Sequence, residues 1–408
     1  MRRVAVTGLG IISPVGNNKE DFFNNLASGV SGIKKISSAF SHRLSVQVAA
    51  EAAFNPQDFF SVKQARNFDR TTQMSLVAAT QAWDDSGITL SDEAKGRAGV
   101  YMGTGLGGAQ AIDDVYDQLY REGASRVSPL SITRIMCNAP ASHISIRYGL
   151  SGPCLTYSTA CASSSVAIGE AFRQIKAGFA DIILAGGAES LLTYGSLKCW
   201  ESLGVLALED AEPSASCKPF SKDRTGFVIG EGAAVVVLEE MERAMGRGAH
   251  IYGELIGYGS TGDAHHITGP TVNGQARAMH LALEEARISS DEIDYINAHG
   301  TATIANDVAE TQAIKKVFGE RAYGIPISAT KSMHGHLMGA AGAAEFITAV
   351  LAAENDALPP TANLMIPDPE CDLDYIPNKG RAGHNIRTVM SNSFAFGGTN
   401  AVLVARKI

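Results

Sequence analysis

Apolar positions along the chain follow two different periods. Short β-branched runs, Val4-Ala5-Val6, Val100-Tyr101-Met102 and Ile182-Ile183-Leu184, each lead into glycine, at Gly8 and Gly10, at Gly103 and at Gly186-Gly187. Unbroken apolar runs of this length predict strands buried on both faces, and the glycines predict tight turns into helices. Between the strands the spacing becomes helical: Met74, Val77, Ala78 and Ala82 share one face, as do Ile168, Phe172, Ile175 and Phe179, with Gly178 near the helix end. The Ala-rich stretch from Ala340 to Asn355 predicts a closely packed internal helix. Near residue 250 the pattern restarts. Strands are expected at Ala233–Glu239, Ile251–Tyr258, Ile293–Ala298, Ile327–Ala329, Thr388–Ser393 and Ala401–Ala405. Helices are expected at Met241–Arg247, Gln275–Ala286 and Asp307–Phe318, and the last two strands are joined through Gly397-Gly398. The fold class is α/β, with two successive halves of similar order: residues 1–250 and 251–408.

Composition narrows the function. Hydrophobic residues make up 45% of the 408 and charged residues 19%, enough for a large core. Lys and Arg number 34 against 42 Asp and Glu, for a net charge of −8, which argues against nucleic acid or a membrane surface as partner. No apolar run approaches the ~18 residues of a membrane span. Met1-Arg2-Arg3 before an apolar stretch mimics a signal peptide. Thr7, Gly8 and Gly10 interrupt that stretch and Ser13-Pro14 stands where a small-residue cleavage site belongs, so Val4 to Ile12 reads as a first strand. Six cysteines without a C-x-x-C predict a reducing compartment and a cytoplasmic protein.

Several segments could carry chemistry. Gly103-Thr-Gly105-Leu-Gly107-Gly108 satisfies G-x-G-x-x-G after a strand, but no second strand ending in an acidic residue follows, so a structural turn is expected rather than a nucleotide site. His265-His266 and His334-x-His336 lack accompanying carboxylate or cysteine ligands, and no metal is expected. Thr159-Ala-Cys161-Ala-Ser-Ser-Ser165 differs: a cysteine flanked by small residues ends an extended segment through Leu155 and Tyr157 and starts a helix. A helix N-terminus favours thiolate, and small neighbours leave the sulfur accessible. The bland alternative, a buried structural thiol, is retained for Cys137, Cys154, Cys199, Cys217 and Cys371. Asn297-Ala-His299-Gly-Thr301-Ala-Thr303, Lys331-Ser-Met-His334-Gly-His336 before a helix bearing Glu345, and Asn392-Ser-Phe394-Ala-Phe396-Gly397-Gly398 put two imidazoles and a glycine hairpin at strand ends. Active sites of α/β proteins form at such ends.

Taken together, the Cys161 segment, His299-Gly-Thr301, Lys331-Ser-x-x-Gly-His336 and Phe396-Gly-Gly-Thr-Asn400 resemble the β-ketoacyl-acyl-carrier-protein synthases. The closest likeness is to the type II condensing enzyme of fatty-acid synthesis and to type II polyketide ketosynthases. It runs from Val4 to the C-terminus and includes Arg224-Thr-Gly-Phe-Val-Ile-Gly-Glu-Gly232 and Pro359-Pro-Thr-Ala-Asn363. The resemblance implies a thiolase-like, five-layered αβαβα body and a homodimer. It implies that Cys161 takes an acyl group from an acyl-carrier protein, and that malonyl-carrier protein then loses CO₂ and condenses with it. His299 and His336 would stabilise the enolate, and the N–H groups of Cys161 and Phe396 would form the oxyanion hole. Lys331 and Glu345 would be the buried ion pair beside the histidines, Thr301 and Thr303 would contact the phosphopantetheine arm, and Leu106 would set acyl-pocket length. Phe394 would line the substrate site, and Phe396 would be a gate swinging on Gly397 and Gly398. Substrates would arrive on the carrier's own phosphopantetheine, with no separate cofactor.

The chain also departs from its relatives. His334 stands where they carry a small residue, and Gly204 and Glu209 stand where many carry arginine, leaving Lys63 and Arg66 as candidate carrier-docking residues. The thinner basic patch points toward an alternative, a dedicated polyketide or polyene ketosynthase paired with a chain-length-factor homologue. Cys371 in Pro-Glu-Cys-Asp does not suit the second cysteine of a thiolase, and the presence of Cys161, His299 and His336 argues against a non-catalytic chain-length partner.

Overall fold

A computed structural model describes residues 1–408. Ten strands form the main sheet: β1 (Val4–Ile12), β2 (Ala98–Gly103), β3 (Cys154–Tyr157), β4 (Ile182–Glu189), β5 (Gly232–Glu240), β6 (Gly253–Gly262), β7 (Tyr295–Asn297), β8 (Ile327–Ser328), β9 (Thr388–Phe394) and β10 (Thr399–Arg406). Their order is β8-β7-β9-β10-β6-β1-β5-β4-β2-β3. From either end three parallel strands are followed by two antiparallel ones, and the two sets meet where β1 pairs with β6.

Helices fill three layers around this sheet. Helices α1 (Arg70–Ser86) and α2 (Ala139–Tyr148) cover one outer face, and α4 (Val272–Ala286) and α5 (Ile304–Phe318) cover the other. Between the two strand sets lie α3 (Ser163–Lys176) and α6 (Ala341–Asn355). Each interface has its own apolar cluster, and the central one is the largest, so the stacking is αβαβα. The small-residue face expected of the Ala-rich helix explains its position. Every residue of α6 from Ala341 to Ala353 is buried, and a Cβ at Gly342 would lie 2.0 Å from Ser165 Oγ on α3.

The glycines after the apolar runs are not turns, as the sequence suggested. Gly8 and Gly10 lie inside β1, and Gly186 and Gly187 inside β4. A Cβ at Gly10 would meet Ala78 O at 1.9 Å, and one at Gly8 would meet Ala82 O at 2.1 Å, so α1 lies directly on the strand. Gly257 and Gly259 in β6 repeat the arrangement under Ala282 and Ala278 of α4, at 2.2 and 2.0 Å. Several expected boundaries also move. Helix α3 stops at Lys176, with Gly178 at φ +83° and Phe179 exposed, and β6 runs from Gly253 rather than Ile251. No helix is long and apolar enough to cross a membrane.

Candidate active site

The C-terminal ends of the parallel strands deliver the reactive side chains to one place. The chain leaving β3 reaches Cys161 through Ala160, whose φ of +49° bends it sharply into a single turn before α3. His299 follows β7, the Lys331–His336 segment follows β8, and Phe396 follows β9 in the expected hairpin to β10. The Cys161 sulfur and one ring nitrogen each of His299 and His336 lie within 4.8 Å of one another, all buried. The two imidazoles cross edge to face, with centroids 5.6 Å apart.

Their hydrogen bonds fix the tautomers. Met338 N donates to His336 Nδ1 at 3.1 Å, and the Lys331 ammonium lies 3.2 Å from His299 Nδ1 while donating to His299 O at 2.5 Å. With Nδ1 accepting in both rings, each proton sits on Nε2. His336 Nε2 has no partner in the fold. Burial first, then the Lys331 charge, hold both imidazoles well below the usual histidine range, so they are neutral N–H donors. Lys331 is itself neutralised by a direct ion pair with Glu345, both fully buried. This polarity opposes a metal. Ligating histidines give their second N–H to an acceptor, whereas here the second nitrogen receives a donor. Asn297 Oδ1, the Ser391 Oγ on the neighbouring strand in register with it, and Glu345 Oε2 are each buried without a hydrogen bond.

Cys161 is 8% exposed, and burial pushes its thiol up to about 11. Lys331 and the N–H groups of Phe396 and of Cys161 itself pull the other way and lose. Burial thus opposes the thiolate that the helix N-terminus favours. Of the five thiols assigned a buried structural role, Cys217 and Cys371 are buried, while Cys137, Cys154 and Cys199 are exposed.

Two cavities meet at Cys161. One, of 640 Å³, is largely apolar and includes Leu106, Ile112, Leu191, Trp200, Leu203 and Met338 in its wall. The other, of 150 Å³, passes His299, His336, Thr301, Thr303, Phe394 and Phe396. Thr301 and Thr303 share a hydroxyl hydrogen bond of 2.8 Å, and the Phe394 ring lies 6.0 Å from that of His299. Gly397 and Gly398 have φ of +83° and +75°. Gly397 N donates to Ile267 O at 2.7 Å, and Asp263 N donates to Gly398 O at 2.9 Å, so the hairpin is tied to the loop carrying the exposed His265 and His266. Lys63 and Arg66 are exposed at a short helix and line neither cavity.

His334 faces elsewhere. Its Nδ1 bonds Gly335 O at 2.7 Å, its Nε2 bonds Thr330 Oγ1 at 3.0 Å, and its ring approaches Phe22. Sequence reasoning missed three supports of the site. Glu189, at the end of β4, accepts from Gly105 N at 2.5 Å, Leu106 N at 3.1 Å, Thr104 Oγ1 at 3.0 Å and Gly339 N at 3.1 Å. The glycine-rich loop thus spends the N–H groups of Gly105 and Leu106 on an internal carboxylate. Glu310 accepts from His299 N and Gly300 N, each at 2.8 Å, and fixes the histidine loop. The third is Trp200, which borders both cavities. A lone acid or tryptophan carries no local signature of such a role.

A nucleophile at a strand–helix turn between two similar half-sheets, facing two neutral imidazoles, is the arrangement of a thiolase-like condensing enzyme. Residues 1–244 match the beta-ketoacyl synthase N-terminal domain and residues 252–365 the C-terminal domain. The chain belongs to the β-ketoacyl synthase family. It is 43% identical to the 3-oxoacyl-[acyl-carrier-protein] synthase 2 of Coxiella burnetii, over 100% of this chain and 99% of that one. It is 41% identical to the synthase of the same name from Staphylococcus aureus, over 100% and 98%. Among solved structures, a β-ketoacyl synthase from Burkholderia phymatum superposes with a TM-score of 0.92 at 36% identity, with full coverage of both chains. A ketosynthase in complex with its type II polyketide acyl-carrier protein superposes at 0.91 and 35%, also with full coverage of both. The protein is an acyltransferase of the condensing class.

Proposed function

We propose that the enzyme catalyses the decarboxylative condensation of fatty-acid elongation, joining an acyl group on Cys161 to malonyl-acyl-carrier protein. The observation that carries this reading is the pair of Nε2–H donors beside one thiol. In the first half-reaction the thiol exchanges with an acyl-carrier thioester: the Cys161 S–acyl bond forms, the carrier S–acyl bond breaks, and the proton passes to the carrier sulfur. In the second, the malonyl thioester loses CO₂. His299 and His336 hold the oxygen that becomes negative, and donors of this kind contribute about 3–4 kcal/mol each. The enolate carbon attacks the acyl carbonyl, whose oxygen is held by the N–H groups of Cys161 and Phe396. Collapse expels the Cys161 thiolate, which takes up a proton, and releases 3-oxoacyl-carrier protein.

The 640 Å³ cavity with Leu106 receives the acyl chain, and the narrower one with Thr301, Thr303 and Phe394 receives the phosphopantetheine arm. Phe396 gates that tunnel on Gly397 and Gly398, while Lys63 and Arg66 serve carrier docking. The arm belongs to the substrate, so no separate cofactor is required, and the protein works in the cytoplasm. A polyketide role with a chain-length partner is the less favoured reading, supported by the resemblance to the ishigamide ketosynthase/chain length factor, with a TM-score of 0.92. The halves at 1–250 and 251–408 divide the labour, nucleophile in one and histidines in the other. A homodimer is supported by the unpaired edge of β3, which exposes Leu155, and by α2 packed on that strand, which exposes Ile146. Native mass measurement distinguishes homodimer from heterodimer. The chemistry is tested by acyl-enzyme mass together with labelled CO₂ release. His299→Ala and His336→Ala should each lower CO₂ release by about 10²–10³-fold while Cys161 still acylates. Retained CO₂ release in both variants overturns the assignment.

A further inference from the structure

The loop that carries Thr301 and Thr303 into the tunnel is bent against its preference. Gly300 has φ of +38°, and Ala302, between the two threonines, has φ of +65°. Glycine tolerates that region, whereas alanine in it is strained and persists only where the surroundings over-determine it. Ala302 is fully buried in a small apolar cluster with Ala207, Cys217 and Val228, and the threonines on either side of it line the tunnel. Two charged groups hold the loop, one at each end. Glu310 takes the N–H groups of His299 and Gly300. At the other end Arg224 donates to Thr303 O at 3.3 Å and to Ile304 O at 3.2 Å.

Arg224 stands where electrostatics alone would not place it. Its guanidinium is buried at the N-terminus of α5, and a cation there opposes the helix dipole. The charge is offset by Asp307, 3.7 Å away in the first turn of α5, and by Asp368, with which it pairs directly. A further N–H bond reaches Ser221 O at 2.8 Å. One planar fork thus ties three chain segments together, and the compact ammonium of a lysine cannot serve all four acceptors at once. We propose that Arg224 is a positioning residue for the phosphopantetheine arm: by clamping the end of the strained turn it keeps the Thr301 and Thr303 hydroxyls, 2.8 Å apart, facing the tunnel. This role rests on the arm lying against those two threonines. Arg224 itself lines neither cavity, so it acts on how the substrate is held and not on the reacting atoms.

Free pantetheine thioesters separate the arm from carrier docking. In Arg224→Lys the KM for malonyl-pantetheine decarboxylation and for Cys161 acylation by octanoyl-pantetheine should each rise about tenfold, the worth of one hydrogen bond to the arm. The kcat values and the rate of Cys161 alkylation by iodoacetamide should hold, because sulfur and imidazoles are undisturbed. Adding Ala302→Gly should return part of the lost affinity, since glycine accepts the bend without the clamp. A residue needed only for folding would show no such rescue, and a double variant as weak as the single one overturns the clamp. Should Arg224→Lys fail to fold, Asp368→Asn frees the same guanidinium from its rim and should raise both KM values by a smaller factor. Thr301→Val separates the two readings. If it raises the KM values while the Arg224 and Asp368 variants leave them unchanged, or lose kcat instead, the positioning role is overturned and the arm site stands. If Thr301→Val leaves them unchanged, the arm does not lie there and both readings fall.

Discussion

Lys331 sets the tautomer of His299: its ammonium lies 3.2 Å from Nδ1 and cannot accept a proton from it, so the imidazole must carry its proton on Nε2, toward Cys161. The lysine thus acts on the reaction through a ring it does not share with substrate. Its charge is held in the interior by Glu345, and burial raises that carboxyl to about 7 even against the lysine. Lys331→Met should strand a buried carboxylate and cost about 3–5 kcal/mol. In Lys331→Met/Glu345→Gln most of that stability should return, read by denaturant midpoint, while CO₂ release stays low because the tautomer is no longer fixed. Full activity in the double variant would show that the ion pair serves folding alone.

His334 and His336 are two residues apart and have separate fates. His334→Thr removes two buried hydrogen bonds and a ring packed near Phe22, so a loss of about 1–3 kcal/mol is expected. Decarboxylation should be unaffected, because the ring points away from both cavities. A collapse of CO₂ release with normal stability would exchange the roles of the two histidines.

The raised Cys161 thiol predicts a pH profile. Iodoacetamide inactivation should rise about tenfold per pH unit through neutrality, with no plateau near the ordinary cysteine value of ~8.5. The sign for folding follows from the same shift. A thiol raised to about 11 in the fold contributes stability that is complete below the unfolded value and is lost as pH rises toward 11. A rate plateau at pH 8–9 would mean that burial does not govern the sulfur.

Glu189→Gln tests the glycine-rich loop. The carboxylate meets four donors, and an amide would turn an N–H₂ toward one of them. About 1–3 kcal/mol of stability should be lost, with a change in acyl preference because Leu106 moves with the loop. An unaltered midpoint and unaltered chain-length profile would count against this role.

What could be read from the sequence was local. Cys161, His299 and His336 each sit where a predicted strand gives way to a loop of small residues, and their motifs repeat those of the family. What could not be read depends on neighbours distant in sequence. Gly8 and Gly10 look like turn residues until α1, some 70 positions on, is laid across them. Glu189 and Glu310 look like ordinary acids until the fold surrounds them with backbone N–H groups. The burial that opposes a Cys161 thiolate was hidden for the same reason. The helix start is visible in the sequence, but the layers that shut water out are not.

Gly342 has a consequence of its own. It lets α6 press against α3 at Ser165, where Ser164 Oγ also receives the Ala343 N–H at 2.9 Å. One helix follows directly on the turn that holds Cys161, and the other begins just after the segment holding His336. The gap between the Cys161 thiol and the His336 imidazole is therefore calibrated by a contact between two scaffolding elements. A methyl group there would act as a shim, detuning the chemistry while every reacting group stayed in place.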